Sequence, residues 1–314
     1  MTAAMPTQAG SRPSTPSNAP AGAWNRFAFS LLRLAVVALL KVATLQGIYL
    51  GARAFGTLEW CINYKRRRRF YKALERIRGR KPTIREKLRH SRTFFMNARC
   101  DKVLYLIFDA IPRDQATGLL TIDPQETLDH ALNHGRGAYM ALSHQGPHHV
   151  VGMLLALKGY KAVGVRDPKE GGIRKYVQDR LDRRYPEFAR LRWLFAGTFP
   201  REIYRRFEEG YVLGSAMDAL RVRSANQRTI EAPMFGERRA ILTGPLRIAI
   251  RCGTPVLQAF FIPEPGFRYR LKIVETLVEA GQRKDHTEIH DTVQRYAANV
   301  ESFLRQHPAL TSRI

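Results

Sequence analysis

GRGAYMALSHQGPHHVVGMLLALKGYKAVGVR, residues 135–166, decides the reading of the fold. AYMALSH (138–144) is a short apolar run that follows Gly137, as a buried strand does. VVGMLLALKG (150–159) is long enough for a short apolar helix and stops at a glycine. YKAVGVR (160–166) returns to the strand pattern. A strand, a helix and a strand in this order make a βαβ unit, which calls for a parallel sheet. The alternation continues downstream. IRKYVQDRLDRRY (173–185) reads as a helix, GYVLGSAMD (210–218) as a strand, PLRIAIRCG (245–253) as a helix and PVLQAFFI (255–262) as a strand. The fold class is therefore α/β, with a mixed, mostly parallel sheet flanked by helices. Residues 70–135 read as mostly helical, with Phe94, Phe95, Val103, Leu104, Leu106, Ile107 and Phe108 as apolar faces. Thr287 to Arg305 reads as a surface helix. No internal repeat is present.

The 314 residues suffice for one large globular domain plus extra segments, and a 45% hydrophobic share supports a packed core. A formal net charge of +25 calls for an acidic partner: nucleic acid, an anionic membrane surface or a phosphorylated lipid. Nucleic acid is the weakest of the three, because the chain carries no recognisable reading motif and no clustered aromatics for base stacking. Cys61, Cys100 and Cys252 show no CxxC spacing, and an odd count argues against a disulfide framework.

Residues 1–22, rich in Ala, Pro, Ser, Thr and Gly, read as a disordered tail. An apolar stretch follows from Phe27 to about Leu58, cleanest over LAVVALLKVATLQGIYLGA, residues 34–52. Nineteen helical residues span roughly 28 Å, close to the hydrocarbon thickness. Lys41 in mid-segment opposes full insertion, so a helix lying in the interface rivals a spanning one. Residues 23–64 are thus expected to form a membrane-anchoring helix. Lys65, Arg66, Arg67, Arg68 and Arg69 follow directly. Adjacent cations beside an apolar helix fit the positive-inside rule, which places the body of the chain on the cytoplasmic side of a membrane.

Ser143-His144-Gln145-Gly146-Pro147-His148-His149 stands at the strand-to-helix junction. Such a junction lies at the carboxyl edge of a parallel sheet, where open α/β folds bind ligands. A histidine there can serve as general base toward a hydroxyl. It needs a partner on its other ring nitrogen to fix the tautomer and stabilise the imidazolium. A carboxylate five positions on is one common solution; here that position is His149. Three imidazoles in six residues also suggest a metal, but Gly146-Pro147 breaks the helix that would bring them onto one face. No metal and no cofactor are expected. No P-loop, dinucleotide fingerprint or nucleophile elbow occurs.

The same stretch resembles the core of the lipid A late acyltransferases, within the wider lysophospholipid and glycerolipid acyltransferases, whose signature is His, four residues, then Asp or Glu. His144 matches the histidine, and His149 stands at the acidic position. Gly164-Val165-Arg166 resembles the family strand that ends in arginine, before the helix bearing Arg180. Gly210 through Asp218 resembles its strand ending in Asp. Phe235-Gly236, Thr243-Gly244-Pro245 and Cys252-Gly253-Thr254-Pro255-Val256 resemble its FFG…T…GP…tGaPVv run. The resemblance covers roughly residues 30–308, and it is carried by the order and spacing of these pieces.

The resemblance implies an acyltransferase domain over residues 65–314. It implies a fatty acyl chain moving from a thioester on acyl carrier protein (ACP) or coenzyme A (CoA) to a hydroxyl of an amphiphilic lipid acceptor, at an anionic membrane surface. His144 and His149 would be catalytic, and Arg166, Arg180, Asp218 and Gly236 would bind substrate. Because a neutral imidazole at 149 brings no negative charge, three readings stay open. Either the pair still works, aided by Asp218 or Asp167 approaching in space, or the chemistry or acceptor is altered, or the chain is a lipid-binding relative without turnover.

Overall fold

The computed structural model describes residues 23–146, 150–166, 184–195, 200–218, 227–282 and 286–311. His148, His149, Asp167 and Arg180, together with most of the helix expected over 173–185, lie outside them.

Nine strands are described: β1 (Leu120–Asp123), β2 (Ala138–Leu142), β3 (Ala162–Arg166), β4 (Leu191–Phe195), β5 (Val212–Ala216), β6 (Thr229–Met234), β7 (Glu237–Leu242), β8 (Val256–Pro263) and β9 (Tyr269–Val278). Seven form one sheet in the order β1-β9-β8-β2-β5-β3-β4, and β6 and β7 form a separate hairpin. Strands β8, β2, β5, β3 and β4 run parallel. The β8–β9 pair is antiparallel, and β1 follows β9. The mixed, mostly parallel sheet expected from residues 135–166 is therefore present.

The helices are α1 (Ala23–Val42), α2 (Leu45–Ile62), α3 (Tyr64–Arg78), α4 (Ile84–Ile107), α5 (Arg113–Thr117), α6 (Gln125–Asn133), α7 (Val151–Leu157), α8 (Pro200–Glu208), α9 (Gly244–Cys252) and α10 (His286–Gln306). Their ends follow local chemistry. Thr83 and Glu86 cap the start of α4 reciprocally, and Gly79, in the left-handed region, closes α3.

Strand β2 shows why its sequence is apolar throughout. Ala138, Met140 and Leu142 enter one core cluster, with α2, α4 and α7. Tyr139 and Ala141 enter another, with α8, α9 and α10. A strand covered on both faces has no polar side to show.

Three expectations need correction. The apolar N-terminal stretch is not one helix. It breaks at Ala43-Thr44, where the Thr44 hydroxyl accepts from Gly47 N–H and starts α2. Among the described residues, no helix is long and apolar enough to cross a membrane. Within the region read as helical, Leu120–Asp123 is a strand, recruited by pairing with β9. And α10 is not merely a surface helix: Val293, Tyr296, Ala297 and Val300 are buried in the second cluster.

Gly137 sets the start of β2. Its φ is +58°, and a Cβ there would collide with the Tyr211 carbonyl, which accepts from Ala138 N–H at 3.1 Å. We expect Gly137→Ala to cost roughly 2–4 kcal/mol through strain and overpacking. The urea unfolding midpoint measures it, and an unchanged midpoint would contradict the close approach.

Candidate active site

Strand β2 ends at Leu142 and β5 at Ala216, paired in register. Two residues beyond each end stand His144 and Asp218, separated by the same 74 positions as the strand pairs. Parallel pairing thus carries the two residues off the sheet side by side. Asp218 accepts from the His144 backbone N–H through both oxygens, at 2.8 and 3.0 Å. His144 Nδ1 lies 2.9 Å from Asp218 Oδ1. An ionised carboxylate only accepts, so Nδ1 carries the proton of this contact. The two side chains are 16% and 14% exposed, so both are largely but not wholly buried.

Neighbouring groups hold this corner. Tyr296, fully buried on α10, donates its hydroxyl hydrogen to the Leu142 carbonyl at 2.7 Å. Met217 N–H donates to the same carbonyl at 3.0 Å. Tyr139 and Ser215 hydroxyls meet at 2.8 Å between β2 and β5. On the other side of His144, Gln145 forms an antiparallel bridge with Thr311, and Gly146 N–H donates to the Leu310 carbonyl at 3.0 Å. The C-terminal turn therefore clasps the loop that follows His144. Among the described residues, the Ser143 hydroxyl and the Gln145 amide, both buried beside the histidine, have no hydrogen-bond partner.

The other expected residues are placed as follows. Arg166 ends β3, at the same sheet edge and one strand beyond β5; its side chain, like Arg180 and His149, is outside the described residues. Gly236 occupies the tip of the β6–β7 hairpin, where Phe235 and Gly236 have φ of +54° and +76°. The hairpin is anchored at its base by Leu242 N–H donating to the Met217 carbonyl and at its tip by Phe235 N–H donating to the Glu301 carboxylate on α10. A two-residue turn with both φ positive accounts for the glycine. Asp218, expected among the substrate-binding residues and as one of two acids that could approach His144, is in contact with His144. Tyr296 and the Gln145–Thr311 bridge carried no sequence signal, because both depend on contacts distant in the chain.

The family model described as "Bacterial lipid A biosynthesis acyltransferase" matches residues 30–310. The protein is an O-acyltransferase that transfers an acyl group to a lipid acceptor. It belongs to the bacterial lipid A biosynthesis acyltransferase family. No curated protein sequence matches the chain. Among solved structures, the 1-acyl-sn-glycerophosphate (LPA) acyltransferase PlsC from Thermotoga maritima is similar at 14% identity, over 85% of this chain and 97% of that one, with a TM-score of 0.36.

The geometry has a spectroscopic consequence. In the native protein, one histidine Nδ1–H should give a downfield proton resonance, as a hydrogen bond to a carboxylate requires. Asp218→Asn should move it upfield or abolish it. A spectrum unaffected by that substitution would rule out the pairing.

Proposed function

We propose that His144 is the general base of acyl transfer and that Asp218, rather than residue 149, orients it. The supporting observation is the 2.9 Å contact between His144 Nδ1 and Asp218. Nε2 takes the proton of the acceptor hydroxyl while its oxygen attacks the carbonyl carbon of an acyl thioester. The C–S bond breaks, and the thiolate leaves with the proton returned from the imidazolium. The products are an ester and a free thiol on ACP or CoA. Asp218 stabilises the imidazolium between the two proton transfers. Arg166 and Arg180 are the candidates for holding substrate phosphates. The reading of a binding relative without turnover drew on the missing carboxylate at 149 and on a C-terminal end without the family's Trp-rich pattern; the Asp218 contact answers the first of these.

Transfer from a radiolabelled thioester to a lipid hydroxyl tests the assignment. His144→Ala should lower kcat by about 10²–10⁴, the usual range of a general base. Asp218→Asn should approach the loss of about 10⁴ seen when a triad loses its orienting carboxylate. His149→Glu should bring no large gain. Unchanged transfer by His144→Ala would dismiss the base, and a large gain by His149→Glu would return the orienting role to position 149.

The catalytic body belongs, in this reading, at the inner membrane with α1 and α2 lying in the interface on its cytoplasmic side. Exposed Phe27, Leu31, Leu34 and Leu39 line α1, and Leu50, Phe55, Leu58 and Ile62 recur at helical spacing on α2. Lys65, Arg68 and Arg69 are exposed beside them, whereas Arg66 pairs with Glu59 and Arg67 donates to the Trp60 carbonyl. An apolar face flanked by cations suits anionic lipid. The double change Leu50→Glu, Leu58→Glu should reduce co-flotation with phosphatidylglycerol vesicles by about an order of magnitude. Equal flotation would exclude this face.

A further inference from the structure

A cavity of about 320 Å³ opens between α2, α4, the β8–β9 connection and the C-terminal turn. From α2 it receives Arg53, from α4 Arg89, His90 and Asn97, and from the C-terminal turn His307 and Leu310. It sits beside the candidate active site. Leu310, in its wall, accepts the hydrogen bond from Gly146, two residues after His144. Ile262 and Pro263, also in its wall, end β8, the strand next to β2.

The charges of this cavity do not cancel. Many arginines of the chain are matched to carboxylates: Arg33 to Asp109, Arg99 to Glu59, Arg80 to Glu86 and Arg295 to Glu275. Arg53 instead donates to the Tyr49 hydroxyl, and neither it nor Arg89 pairs with a carboxylate among the described residues. The two carboxyl groups of the lining are not available to them. Glu264 is held by Arg270 at 2.8 Å. Asp101 meets the Tyr269 hydroxyl, and burial pushes its carboxyl up to about 7, so near neutrality it carries only part of a charge. The imidazoles respond to the same field. Burial, then Arg78 and Arg89, lowers the pKa of His90; burial, then Lys272, lowers that of His307. They therefore favour the neutral form and offer hydrogen bonds rather than charge.

We propose that this cavity is a receptor for a phosphate group of one of the two substrates, held by Arg53 and Arg89 with Asn97 as a further donor. Guanidinium groups suit phosphate because their planar N–H pairs match its oxygens. The proposal deepens the acyltransferase reading and rests on it for the words "of a substrate". The cavity lies on the β8 side of His144, whereas Arg166 lies on the β5 side. A phosphate on this side would anchor one substrate while leaving the other flank of the histidine open to the second.

Calorimetric titration of the full-length protein in detergent with inorganic pyrophosphate tests the receptor directly. Arg53→Gln with Arg89→Gln should weaken binding at least tenfold, and Arg251→Gln, exposed on α9, should change it less than twofold. Asn97→Asp, which puts a negative charge in the cavity, should weaken binding as well and guards against misfolding of the double variant; thermal unfolding checks each protein. No saturable binding, or an equal loss in Arg251→Gln, overturns the receptor. The source of the phosphate is read from KM values of the double variant. A rise confined to the thioester assigns it to the donor, and a rise confined to the lipid assigns it to the acceptor. Pyrophosphate binding lost with neither KM changed overturns the substrate assignment. His144→Ala should retain pyrophosphate binding, so failure of the base assignment and failure of the receptor are distinguishable.

Discussion

Two neighbouring parallel strands, β2 and β5, share a register that continues past their last paired residues. Nearly everything at the candidate site follows from that continuation. His144 and Asp218 come from segments distant in the chain, yet each stands two residues beyond its strand, so the backbone ladder delivers them together. The cost of fixing two side chains in one geometry is small when the scaffold has already fixed their backbones. Asp218 also accepts the His144 backbone N–H, which ties the start of the loop to the same carboxylate that contacts the ring. Removing the acid would loosen both.

The surroundings are arranged around that corner. Tyr296 and Met217 N–H both use the carbonyl of Leu142, the last residue of β2. They satisfy a buried acceptor that would otherwise be costly. The hairpin reaches the corner through Leu242, and the C-terminal turn reaches it through Leu310 and Thr311. Membership of the lipid A acyltransferase family accounts for the chemistry. The register explains how a chain with His149 at the family's acidic position still presents a carboxylate to its histidine.

Much of the sheet was legible in the sequence, and the limits have physical causes. β2 and β8 are almost wholly buried apolar runs, and β3 and β5 open on the buried pairs Ala162-Val163 and Val212-Leu213, so these strands stand out. β9 was missed because it alternates: Arg270, Lys272 and Glu275 interrupt its buried positions, so its residues do not form one run. β1 has four residues and gains its identity only by pairing with β9. His144 was legible because the strand before it and the helix after it are both clear. The role of Asp218 was only half legible. It stands at the end of a readable strand, but no local pattern says that β5 lies against β2 rather than against β8. Spacing drew the search toward position 149, whereas strand adjacency provides the acid. His90 and His307 stand far apart in the sequence, and the cavity they share is assembled from four distant segments.

The clasp between Thr311 and Gln145 has an implication for how the protein matures. A chain growing on a ribosome can lay down all five parallel strands while the brace for the loop after His144 is still to be made. That brace comes from Leu310 and Thr311, beyond β9 and α10, so a chain that has grown only as far as β9 owns a complete sheet and an unsupported loop. The candidate active centre is thus completed by the turn that follows α10 rather than by the folding of the sheet that carries it.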